Sequence, residues 1–149
     1  MLQFIIKFPN NQRLAQYAHS QSCCKSQDSC NNSSMKRILI VDDEEILAKC
    51  LREEFEFLGH SVVVVNEPSD APVQIFSEPF DIILLDIKMP KVNGVELFEQ
   101  IKPHTDAKIV FLSAISDLMS HDPVLMKADM VLEKPFSVED IRKIVDLAK

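Results

Sequence analysis

Apolar positions along this chain alternate between two rhythms, short branched runs and stretches with helical spacing. The run RILIV at Arg37–Val41 has the pattern of a strand covered on both faces, and it stops at the acids Asp42, Asp43, Glu44 and Glu45. A helical period follows, with Leu47, Leu51, Phe55 and Leu58 on one face and Gly59 placed as a C-cap. Residues 62–65 predict a second buried strand. Residues 68–77 predict a weaker helix, in which Pro72 is tolerable only within the first turn. The run at 81–85 predicts a third strand ending at Asp86, after which Met89-Pro90 and Asn93-Gly94 mark a tight loop. A helix over 95–102 would pack Val95, Leu97, Phe98 and Ile101, and residues 108–112 predict a fourth strand. A less regular helix is expected near 117–126, where Pro123 interrupts it, and Met130–Glu133 predicts the fifth strand. Lys134-Pro135-Phe136 then leads into a last helix. Ser137 and Asp140 stand there at capping-box spacing, and Val138, Ile141, Val145 and Ala148 form the inner face.

Five strands alternating with five helices predict an α/β fold, a doubly wound, flavodoxin-like parallel sheet in a single domain. Right-handed crossovers and this fold type give the strand order 2-1-3-4-5. The crevice then lies between strands 1 and 3, which end at Asp42-Asp43 and at Asp86. Acids far apart in sequence are expected to converge.

Composition limits the alternatives. The chain has 149 residues, room for one domain and a tail, and its 46 % apolar content excludes disorder throughout. No apolar run approaches the roughly 20 residues of a membrane span. The net charge of −7 argues against nucleic acid or an anionic membrane as the main partner. That charge divides unevenly, +2 over residues 1–35 and −9 over residues 36–149. Residues 9–34 are dominated by Asn, Gln and Ser, so 1–35 reads as a disordered or loosely packed extension and 36–149 as the domain, with Met35 a natural alternative start. Residues 2–8 are shorter than a signal-peptide core. Cys23, Cys24 and Cys30 lack C-x-x-C spacing and read as incidental thiols, and Cys50 as a helix-surface thiol. Nothing implies an oxidising compartment, and a cytoplasmic location is expected.

The converging groups suggest a chemistry. Carboxylates gathered at one crevice repel each other unless a proton or cation offsets them, and Mg²⁺ suits an all-oxygen set. The expected arrangement has the metal bridging Asp43 and Asp86, with Asp42 acting through water and the Lys88 main-chain carbonyl as a further ligand. Asp86 is then a nucleophile that takes a phosphoryl group. Charge on the three equatorial oxygens would be met by Mg²⁺, by Lys134, and by Ser113 with nearby backbone N–H groups. Each piece has a plainer explanation: an N-cap pair, a turn residue, a strand-end hydroxyl, a Lys-Pro turn. Their common position at the C-terminal ends of strands 1, 3, 4 and 5 favours the functional one.

IVDDEE, LLDIKMPKVNG, FLSA and EKPF, in this order, resemble the receiver domain of response regulators in two-component signalling, over about residues 36–149. The resemblance implies that Asp42 and Asp43 bind Mg²⁺ and that a histidine kinase or histidine-phosphotransfer protein phosphorylates Asp86. It further implies that Ser113 is the switch hydroxyl, that Lys134 binds phosphate, and that the Lys134–Pro135 peptide is cis. Several positions depart from the family pattern. Asn93 stands where Asp is usual, Ser113 where Thr is more frequent, and Val131 where an aromatic often swings inward. Lys127 precedes Ala128-Asp129 where Gly is common.

The expected function is a single-domain response regulator, a phosphoacceptor rather than an enzyme in the ordinary sense, acting as monomer or weak dimer. No DNA-binding domain is expected beyond this one, and output is expected to pass to an unknown downstream protein through contacts or onward phosphotransfer. Ile46, Cys50 and Phe57 form a flank of the first helix that either docks the phosphodonor or widens the buried stripe. Lys88 and Ile115 flank the path of an attacking water without being suited to orient it, which predicts slow dephosphorylation. The alternative is an interaction module that keeps the fold and works without phosphorylation. An Asp-nucleophile phosphatase is disfavoured because Lys88, not an acid, stands two residues past Asp86.

Overall fold

The computed structural model of the chain describes residues 34–114 and 123–149. The N-terminal extension with Cys23, Cys24 and Cys30, Ile115, and most of the helix expected near 117–126 lie outside these residues.

Five parallel strands, β1 (Arg37–Val41), β2 (Ser61–Val65), β3 (Ile82–Asp86), β4 (Lys108–Ser113) and β5 (Met130–Glu133), form one sheet in the order 2-1-3-4-5. The connecting helices described are α1 (Glu45–Phe57), α2 (Ala71–Ser77), α3 (Gly94–Ile101) and α4 (Val138–Asp146). Because side chains alternate across a strand, each central strand feeds two cores. Leu39, Ile83, Leu85, Ile109 and Phe111 face α2 and α3, where Phe98 sits 5.2 Å from the Phe111 ring. Ile38, Ile40, Ile82, Leu84, Val110 and Leu112 face the other way, against Leu47, Leu51 and Phe55 of α1 and Ile141, Ile144 and Val145 of α4. Both faces are covered, so β1, β3 and β4 show no polar alternation.

Among the described residues the expected strands and helices are present, with local corrections. Strand 2 is not buried: it is an edge strand, and Val65 is its one buried residue. Paired on one side only, it leaves Val62, Val63 and Val64 half exposed. The helix expected over 68–77 opens as a 3-10 turn at Pro68–Asp70, which admits Pro72 at the start of α2. Ile144, absent from the expected inner face of the last helix, is fully buried there, while Val138 is half exposed. The described end of the irregular segment is a 3-10 turn at Leu125–Lys127.

The predicted capping box is formed. Ser137 Oγ accepts from the Asp140 N–H, and the Asp140 carboxylate accepts from the Ser137 N–H at 3.0 Å and from Lys143 Nζ at 2.8 Å. Those bonds, the one from Lys143 foremost, hold the Asp140 pKa down to about 2. A carboxylate depressed on folding adds stability above its ordinary pKa and loses it as acid is added toward the folded value. Asp140→Asn should therefore cost about 1 kcal/mol at neutral pH, and urea melts should show the gap from wild type closing as the pH falls from about 4 to about 2.

Candidate functional site

The C-terminal ends of four strands build the site. Asp42 follows β1, Asp86 ends β3, Ser113 ends β4 and Lys134 follows β5. Register brings them level: Asp86 pairs with Leu112 and Ser113 with Glu133, while the Lys134 N–H donates to the Ser113 carbonyl at 2.7 Å. The Lys134–Pro135 peptide is cis, as the resemblance implies.

Of the predicted site residues, Asp42, Asp43, Asp86 and Lys134 come together at one place. Lys134 Nζ lies 3.1 Å from Asp86 Oδ1 and 3.3 Å from Asp42 Oδ2. Carboxylate oxygens of Asp42, Asp43 and Asp86 lie within 4.8 Å of one another. Asp42 is fully buried and Asp86 nearly so, whereas Asp43 is exposed. Three acids against one lysine leave an excess of negative charge in a largely water-poor hollow. Burial first, and then repulsion from Asp42, pushes the Asp86 pKa up to about 6 although Lys134 opposes it. Burial also raises Asp42 against the pull of Lys134. Burial works against the charge on Lys134, but Asp42 and Asp86 outweigh it and raise its pKa. Glu44, next in the acid run, is raised by burial and by Asp42.

This donor set fits a small hard cation: oxygen ligands only, with surplus negative charge that a divalent ion would offset. The Asp42 oxygens are already engaged, Oδ1 by the Glu44 N–H at 2.8 Å and Oδ2 by Lys134. Lys134 likewise engages one Asp86 oxygen, so Asp43 and the other Asp86 oxygen are the donors that could hold such an ion directly. Lys88 stands two residues past Asp86 on the β3–α3 loop and is exposed. Ser113 is buried beside the site, and its Oγ donates to the Ala114 carbonyl at 2.9 Å, the strand-end bond of the plainer explanation.

The loop after Asp86 is tightly drawn. The Ile87 N–H donates to the Leu112 carbonyl, and the Gly94 N–H returns to the Ile87 carbonyl at 3.0 Å. Asn93 caps α3, its Oδ1 accepting from the Val95 N–H at 2.9 Å, so the departure from Asp keeps the capping function. Val131 is half buried in the core shared with Phe111 and Val124. On α1 the buried stripe is Leu47, Ala48, Leu51 and Phe55. Ile46 is 75 % exposed and Phe57 69 %, so they do not widen that stripe, and Cys50 is half buried.

Sequence reasoning missed Asn66, whose Nδ2 donates to the Asp42 carbonyl at 2.9 Å, and the ion pair of Glu67 with Lys91 at 3.0 Å. An Asn after a strand signals only a turn, and nothing in sequence ties it to an acid 24 residues earlier.

Residues 38–146 match the response regulator receiver domain family. The response regulator ArlR of Staphylococcus epidermidis is 32 % identical over 110 residues, covering 72 % of this chain and 49 % of ArlR. The chain thus spans about half the length of the curated relatives it matches. Among solved structures, the response regulator TrrA of Thermotoga maritima, crystallised in complex with Mg²⁺-BeF, is 34 % identical with a TM-score of 0.70, covering 77 % of this chain and all of that one. TrrA in complex with the histidine kinase ThkA is 31 % identical to this chain, with a TM-score of 0.68, covering 76 % of this chain and 98 % of that one. Among the described residues, no helix is long and apolar enough to cross a membrane.

Proposed function

Since the chain belongs to the response-regulator receiver domain family, we propose that Asp86 accepts a phosphoryl group from a phosphohistidine on a histidine kinase or histidine-phosphotransfer protein. An Asp86 oxygen attacks phosphorus in line, and the P–N bond to the donor imidazole breaks with its electron pair leaving on nitrogen. The product is an acyl phosphate. Lys134, already within hydrogen-bonding distance of Asp86, meets one equatorial oxygen, and Ser113 turns from the Ala114 carbonyl to another. Asp43 and Asp86 would hold Mg²⁺, which would supply the remaining charge neutralisation. The observation that carries this reading is the meeting of Lys134 with Asp42 and Asp86 inside a three-carboxylate cluster.

The flank of α1 that runs from exposed Ile46, beside the acids, past half-buried Cys50 to exposed Phe57 at the far end of the helix offers an apolar seat for the donor's helices. Lys88 is ill suited to orient an attacking water, so the acyl phosphate should outlast one with an acid or amide there. Output then follows from contacts that differ between the two phosphorylation states, or from onward transfer to another histidine.

The full chain, incubated with Mg²⁺ and acetyl phosphate, should gain the mass of one phosphoryl group, and chelation of the metal or Asp86→Asn should abolish the gain. No gain in the wild-type chain, or an equal gain in Asp86→Asn, would favour the alternative of an interaction module independent of phosphate.

A further inference from the structure

The phosphoacceptor reading leaves open what aims Asp43, and the inference drawn here rests on that reading. Asn66 follows β2 and is exposed, yet its side-chain amide donates to the Asp42 carbonyl oxygen. That oxygen belongs to the planar peptide joining Asp42 to Asp43, so the bond fixes the plane from which the Asp43 side chain departs. The preceding peptide is held as well, by the Asp42 N–H donating to the Val65 carbonyl at 3.2 Å.

Asp43 depends on this more than its neighbours do. Asp42 is pinned by the Glu44 N–H and Lys134, and Asp86 by Lys134 at the end of a fully buried strand. The Asp43 carboxylate is exposed and makes no hydrogen bond or ion pair with the described residues. The backbone is what fixes its Cα–Cβ bond, from which the carboxylate reaches the site.

The backbone that follows Asn66 is held in place. Buried Pro68 opens the short 3-10 turn that follows it, and the Asp70 N–H closes that turn on the Glu67 carbonyl at 3.0 Å. Glu67 then reaches over to Lys91 on the β3–α3 loop. Lys91 holds a left-handed φ of 70° there, with the Val92 N–H donating to the Pro90 carbonyl across it.

The geometry points to Asn66 as a positioning residue for the divalent cation: by holding the Asp42–Asp43 peptide, it presents Asp43 toward Asp86. Outer partners of metal ligands typically change affinity by about tenfold or more, whereas an exposed surface bond contributes little to overall stability.

Mg²⁺ alone, titrated into the full chain and followed by backbone amide shifts at Asp42, Asp43 and Asp86, tests this directly. Asn66→Ala should weaken Mg²⁺ binding by about tenfold while the metal-free melting temperature stays close to wild type. Phosphoryl uptake from acetyl phosphate should need correspondingly more Mg²⁺ yet reach the wild-type rate at saturation. Equal Mg²⁺ affinity in the two proteins, or a loss confined to metal-free stability, would overturn the role of Asn66. A wild-type chain whose amides ignore Mg²⁺ would instead overturn the phosphoacceptor reading, and this role with it.

Discussion

Lys134→Met should destabilise the fold by about 2–4 kcal/mol at neutral pH, because it strips a largely buried carboxylate cluster of the cation that faces it. Methionine fills much of the same volume, so a cavity is not the main cost. The cost is electrostatic and has a signature in pH. Asp42 and Asp86 already carry raised pKa values in the folded chain, and Lys134 is what restrains them. Without it both rise further. A carboxylate raised on folding favours the folded state below its ordinary pKa and loses that contribution as pH climbs through the folded value. The deficit of Lys134→Met should thus be largest above about pH 7 and shrink toward about pH 5, where the folded protein takes up protons. A packing defect would show no such trend. Mg²⁺ should recover part of the loss by binding only the folded state. Adding Asp86→Asn should recover part by removing one of the repelling charges, so the double variant should lose less than the two single effects combined. Urea melts of the four proteins at two pH values, with and without Mg²⁺, read all of this. A deficit independent of pH and of Mg²⁺ would mean that Lys134 serves packing rather than the acids.

That cluster was legible in the sequence because its members sit at strand ends, and strand ends are set by patterns that survive without coordinates. The branched runs ending at Asp42 and Asp86 carry no polar alternation, as in parallel strands covered on both faces, and the flavodoxin-like arrangement with right-handed crossovers gives the 2-1-3-4-5 order. Once the order is known, Asp42, Asp86, Ser113 and Lys134 can only gather at one edge.

What pattern could not supply was how each group is held. The run of four valines in β2 looks as buried as β1 in sequence, yet an edge strand has one paired side and covers less of itself. Exposure of Ile46 and Phe57 was equally ambiguous, since an amphipathic stripe can be narrow or wide at the same apolar spacing. Asn66, Glu67 and Lys91 escaped because their bonds cross between loops far apart in sequence, and turn residues announce turns rather than partners.

Gly94 shows the same gap between pattern and cause, and its replacement is expected to combine lost stability with lost chemistry. In sequence it reads as a turn glycine after Asn93, chosen for backbone freedom. Its φ is not in the left-handed region, however, where Gly59 (φ 89°) and Lys91 are the described cases. The reason is contact: a Cβ at Gly94 would lie 2.0 Å from the Asp86 carbonyl oxygen and 2.9 Å from Ile87 Cα. Both obstacles are backbone, so no rotamer change relieves them. The start of α3 must back away from β3, stretching the Gly94 N–H bond to the Ile87 carbonyl, or Asp86 must shift. Overpacking of this kind costs about 1–3 kcal/mol. A displacement of about 1 Å at a reacting group can slow the chemistry on the order of a hundredfold. Gly94→Ala should accordingly melt earlier and, assayed at a temperature where it is still folded, take up phosphate from acetyl phosphate far more slowly at saturating Mg²⁺. Asn93→Ala is the matched control. It removes the α3 cap at a cost of about 1 kcal/mol without pressing on Asp86, so it should lower stability and leave the uptake rate near wild type. Equal uptake by Gly94→Ala and the wild-type chain would show that Asp86 tolerates displacement, and that the close approach of α3 to β3 serves packing alone.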